Sequence, residues 1–101
     1  MGEAWLVRLR YTRQALADLE RLLDDIALRS PRGAKRGQAR LKAIIDLLPH
    51  HPNIGQATRR AGMRRLVASP YPYLVFYRAD GDEIVVHAVR HGARDPKSFP
   101  R

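Results

Sequence analysis

Apolar and polar residues change period several times along this chain, and each period names an element. Residues 5–10, WLVRLR, set Leu6, Val7 and Leu9 against Arg8 and Arg10, the pattern of a half-buried strand. From Thr12 the spacing becomes helical. Ala15, Leu16, Leu19, Leu22, Leu23 and Ile26 form one apolar stripe, with Thr12 as N-cap and Arg13, Asp18, Glu20, Arg21 and Asp25 assigned to the wet side. Ser30-Pro31 restarts the chain as an N-cap followed by proline at the first helical position. A second helix is expected from Pro31 to Leu48, with Leu41, Ile44, Ile45 and Leu48 as its stripe and Pro49 as its stop. Gly33 and Gly37 weaken its first turns by about 1 kcal/mol each relative to alanine, so they predict fraying unless a partner orders them. The short link between the helices predicts an antiparallel helical hairpin.

Residues 49–62, PHHPNIGQATRRAG, read as a loop. The adjacent His50 and His51 lack a third ligand at useful spacing and are read as solvated. Three β-prone runs come next, Met63–Ala68, Tyr73–Arg78 and Glu83–Arg90, each bounded by proline or glycine. Asp80-Gly81 is a type I′ hairpin signal. With those two residues as the loop, Arg78 opposes Glu83, Tyr77 opposes Ile84, and Val75 opposes Val86. Tyr77, Val75, Ile84 and Val86 then form one apolar face, while Leu74, Phe76, Val85 and Val89 form the other with His87 among them. The order β-α-α-β-β-β predicts an α+β two-layer domain spanning residues 1–101, a helical hairpin packed on a small, mostly antiparallel sheet. Residues 97–101 are expected to be a flexible tail.

Composition narrows the class. Zero cysteines exclude disulfides and thiolate metal sites, and no metal or cofactor pattern is present in the sequence. No apolar run approaches the length of a membrane span and the N-terminus lacks a signal-peptide stretch, so a cytoplasmic protein without a membrane partner is expected. Nineteen Lys plus Arg against 10 Asp plus Glu give a net charge of +9, which favours anionic partners. Direct DNA binding is not expected, because no helix joins a basic face to a recognition-like turn.

In that order the chain resembles toxins of the RelE/ParE superfamily from type II toxin–antitoxin modules. The resemblance is carried by Ala15, Asp18 and Leu19 at the first helix, by Pro52 to Gly55 as P-x-x-G, and by Gly62-Met63-Arg64-Arg65-Leu66. The strand Tyr73 to Arg78 and the ending Arg90-His91-Gly92-Ala93-Arg94-Asp95-Pro96 complete it. That ending is most similar to the ParE, plasmid-stabilisation branch. The resemblance implies a helical hairpin on a curved sheet, an acidic cognate antitoxin, and one of two activities: ParE-like inhibition of DNA gyrase by binding, or RelE-like cleavage of mRNA on the ribosome.

Cleavage by 2′-OH attack needs a base, cationic donors and an acid. Arg64, Arg78, His87 and His91 are the candidate catalytic residues under that alternative. RelE-like nucleases carry a tyrosine in the tail, where this chain has Lys97-Ser98-Phe99. Under the binding alternative there are no catalytic residues, and Arg64, Arg65, Arg90 and Arg94 are the candidate contacts to target or antitoxin. Structural roles compete for the same side chains: Arg64 or Arg65 with Asp95, Arg78 with Glu83, and His91 as a strand-end cap with Gly92 supplying a turn.

Overall fold

The computed structural model describes residues 7–92. It comprises β1 (Arg8–Tyr11), α1 (Arg13–Arg29), α2 (Pro31–Ile45), β2 (Gln56–Ala57), β3 (Met63–Val67), β4 (Tyr73–Asp80) and β5 (Glu83–His91). The five strands form one sheet in the order β1-β5-β4-β3-β2, in which β1 pairs parallel to β5 and the other neighbours are antiparallel. Both helices contribute to the larger apolar core, against Val75, Tyr77, Ile84, Val86 and Val89 from the sheet. The α+β two-layer expectation is met. The two-residue β2, set in what reads as loop, is an addition to it.

Both N-caps form as expected: the Thr12 hydroxyl accepts from Ala15 N at 3.0 Å and the Ser30 hydroxyl from Gly33 N at 2.9 Å. The second helix ends at Ile45 rather than Leu48, and the chain continues in turns through which Leu48 still reaches the core. Gly37 lies inside the helix and is buried. A Cβ there would lie 3.2 Å from Tyr73 Cε2, so the missing side chain lets α2 close onto that ring.

The hairpin turn is displaced by one residue. Asp80 pairs with Glu83, leaving Gly81-Asp82 as the loop, and Gly81 has φ +63 whereas no non-glycine residue among those described has positive φ. Glycine takes the strained first central position, as in a type II′ turn, and aspartate is spared it. Moving a two-residue loop by one step shifts each partner by two, which preserves the faces. Tyr77, Val75, Ile84 and Val86 therefore do share one surface. Beyond them a bulge intervenes, since Tyr77 pairs with Val86 but Phe76 with Ala88, and His87 is the extra residue. That single insertion reverses the parity of the rest of β5, placing Val89 in the helix-side core instead of beside Phe76.

Candidate functional site

The sheet face turned away from the helices has an apolar floor and a basic rim. Met63, Leu74 and Phe76 are buried there with Ala88 packed against them. By register, Arg8, Arg10, Arg65, Arg78, Glu83 and Val85 share that face. Arg10 Nε donates to Glu83 Oε2 at 3.0 Å, so Glu83 serves Arg10 rather than Arg78. Arg78 instead donates from Nη1 to Ala61 O at 2.8 Å, and Arg65 from Nη2 to Gln56 Oε1 at 2.7 Å. Arg65 Nε is buried without a hydrogen-bond partner among the described residues. The bulge residue His87 sits in this field. Desolvation first, then Arg78, Arg10 and Arg60, lower its pKa and keep the imidazole neutral to more acidic pH than usual.

Arg64 belongs to the other side. It pairs in register with Tyr77, and its Nη1 donates to Gly55 O at 2.7 Å and to Asn53 O at 3.4 Å. The same loop is held from within the core. The Tyr77 hydroxyl donates to Pro52 O at 2.8 Å and accepts from Gly55 N at 2.9 Å. A Cβ on Gly55 would lie 2.8 Å from Tyr77 Cε1. The P-x-x-G segment is thus a clasp around one phenol, in which proline and glycine supply the backbone groups.

At the far end of β5, α1 closes the strand edge that β1 no longer reaches. Thr12 N donates to Val86 O at 3.0 Å, and the Thr12 hydroxyl donates to His87 O at 3.2 Å. Asp18 completes the seal: it is 3% exposed, accepts from Val89 N at 3.1 Å and Gln14 Nε2 at 2.7 Å, and pairs with Arg90 Nη1. Reading the sequence placed Asp18 on the wet face of the first helix. The structure corrects this, and the signal was present: steps of 3 and 4 put Asp18 on the buried line from Ala15 to Leu22, while Leu16 is 53% exposed.

Arg90 and His91 border a cavity of about 160 Å³ with Asp18, Arg21, Leu22, Asp25 and Val89. His91 stands at the end of its strand, as expected. It is the last residue of β5, opposite Tyr73, its ring is edge-on to that tyrosine at a centroid distance of 5.8 Å, and its Nδ1 is buried without a hydrogen-bond partner among the described residues. Gly92, without positive φ, donates its N–H to Pro72 O at 2.7 Å. Arg94 and Asp95, and with Asp95 any pairing to Arg64 or Arg65, lie outside the described residues. His50 and His51 are exposed, as expected. Among the described residues no group of three or more His, Cys, Asp or Glu is placed to hold a metal, and no helix is long and apolar enough to cross a membrane.

A helical hairpin covering one face of a five-stranded sheet whose other face is rimmed with arginine defines a small α+β toxin fold of the RelE/ParE kind. Residues 9–96 match the family model described as the ParE toxin of the type II toxin–antitoxin system parDE, and the chain belongs to that family. It is 40% identical over 92 residues to the toxin RelE2 of Caulobacter vibrioides, spanning 88% of this chain and 99% of that protein. A solved structure of the chromosomal ParDE TA system from P. aeruginosa has the same fold, with a TM-score of 0.77 at 24% identity over 87% of this chain and 98% of that one. The chain is accordingly a toxin of the ParE/RelE superfamily.

Proposed function

We propose that this toxin acts on DNA gyrase by binding it and is silenced by an acidic cognate antitoxin. The observation that carries the reading is the scatter of the nuclease candidates. Base, acid and cationic donors must converge on a single phosphate for 2′-OH attack. Arg78 and His87 lie toward the open face, whereas Arg64 and His91 pair in register with Tyr77 and Tyr73 on the helix side. Two of those arginines are also engaged with backbone carbonyls. A dispersed set of cations over an apolar floor suits a protein surface better than a reacting phosphate, and a net charge of +9 suits an acidic antitoxin. This reading calls on no metal and no cofactor.

Ribosome-dependent mRNA cleavage is the second reading, and His87 is the observation in its favour. An imidazole kept neutral beside Arg78 and Arg10 is competent as a base. It lacks the tail tyrosine as acid, since Lys97-Ser98-Phe99 stands there.

The two readings separate in one culture expressing the chain alone. Loss of negative supercoiling on a reporter plasmid, or accumulation of cleaved gyrase–DNA complexes with intact mRNA, is expected. Codon-positioned cuts in mRNA with normal supercoiling would transfer the activity to His87 and its neighbours.

A further inference from the structure

Helix α2 carries a feature on which neither reading above draws. Its sequence, PRGAKRGQARLKAII, contains five cations and no acid. Gly37, Leu41, Ile44 and Ile45 are its buried side. At 100° per residue, Arg32, Lys35 and Arg36 fall around the opposite arc, with the small Ala39 and Ala43 between them and Arg40 at its flank, and Arg32, Lys35, Arg36, Ala39, Arg40 and Ala43 are exposed. Lys42 is neutralised by Asp46 at 2.8 Å, and Arg40 Nε is tied to Ser69 O at 2.7 Å. Arg32, Lys35 and Arg36 form no ion pair among the described residues. The neighbouring helix differs: α1 carries Glu20 and Asp24 among its arginines, whereas α2 has no acid.

We infer that the outer face of α2 is a contact surface for the phosphate backbone of a double-stranded nucleic acid. Arg32, Arg36 and Arg40 recur every ~6 Å along the helix axis, giving a rigid row of charge about 12 Å long. A duplex strand presents a phosphate about every 3.4 Å of its axis, so the row can meet several at once. An acidic polypeptide fits this face less well. Docking a helix or strand needs apolar anchors, and none of the exposed large apolar residues, Leu16, Leu28, Leu47, Ile54 and Val67, lies on α2. Phosphate binding needs only charge and access. The absence of a recognition turn means that such contacts position the protein without reading base edges. This inference is independent of the gyrase reading, since a chain inactive on gyrase would still bind duplex.

The test is fluorescence anisotropy of the full chain with a short DNA duplex and with an RNA duplex of the same sequence, across a salt series. Either duplex should bind with little dependence on sequence, and the preferred one identifies the source of the phosphates. The triple variant Arg32→Ala/Lys35→Ala/Arg36→Ala should lower the slope of log K against log salt by up to ~3, and weaken binding by about ten-fold or more at low salt. A charge-matched variant, Arg8→Ala/Arg59→Ala/Arg60→Ala, should retain the slope. Equal losses in both variants would reduce the effect to net charge and overturn the inference. So would failure of the wild type to bind either duplex at low salt, or tighter α2-dependent binding of polyglutamate than of either duplex. Circular dichroism of both variants confirms that surface charge alone was changed.

Discussion

Tyr77 joins sheet, core and loop through a single hydroxyl that both donates and accepts. Replacing it with phenylalanine leaves the Gly55 N–H and the Pro52 carbonyl without their partner in a buried setting, at a cost of about 1–3 kcal/mol. Gly55→Ala strikes the same clasp from the other side and should cost a similar ~1–3 kcal/mol by overpacking. Because both changes open one contact, the double variant should be less destabilised than the sum. Urea midpoints of the three variants measure this, and an unchanged midpoint for Tyr77→Phe would mean the hydroxyl carries nothing. His87 makes a second prediction at this scale. Its pKa is lowered in the folded chain, so above the ordinary histidine range folded and unfolded states bind the same number of protons. As pH falls through that range, the unfolded chain takes up a proton that the folded one refuses. Stability should therefore decline on mild acidification, and His87→Gln should flatten that decline in urea melts at successive pH values.

The pairing of α1 with β5 turns on Asp18, which satisfies a strand-edge amide and holds Arg90 at once. Asp18→Ala should cost about 3–5 kcal/mol, because it strands the Arg90 charge and opens the edge. The paired variant Asp18→Ala/Arg90→Met should recover part of that loss, and thermal melts of the three chains would show no recovery if the ion pair were incidental. Elements specified by local chemistry were legible in the sequence: both caps, the α2 stripe, all of the α1 stripe but Leu16, and four of the five strands come from spacing and turn residues. The rest depends on tertiary partners. Asp18 reads as surface because aspartate usually is, and its burial is favourable through the Val89 amide, Arg90 and Gln14 that meet its carboxylate in the folded chain. The bulge at His87 left no local mark, and β2 exists only because Arg65 and Arg64 lie beside Gln56 and Ala57. The candidate site was less legible still. Register, not composition, sent Arg64 to one side of the sheet and Arg78 to the other.

Taken whole, the molecule is a strongly cationic body with 17 buried apolar residues among those described, and with Leu28, Leu16 and Ile54 left in water. Under the proposed pairing with an acidic antitoxin, binding to the folded state alone should raise its stability by mass action, about 2.7 kcal/mol at a hundred-fold excess over Kd. Thermal melts with and without the product of the adjacent gene would show it, and a chain already highly stable that does not respond would contradict the pairing.

The clasp around Tyr77 also makes one atom a reporter for the whole fold. The Gly55 amide hydrogen is held by a phenol belonging to a residue with 0% exposure, 22 positions further along the chain. Exchange with deuterated solvent then requires the loop to part from the centre of the sheet. Loop amides ordinarily exchange by local fraying, but this one should track the slow, cooperative opening of the core. A single peptide containing Gly55 thus becomes a clock for global unfolding, readable in any complex the protein enters.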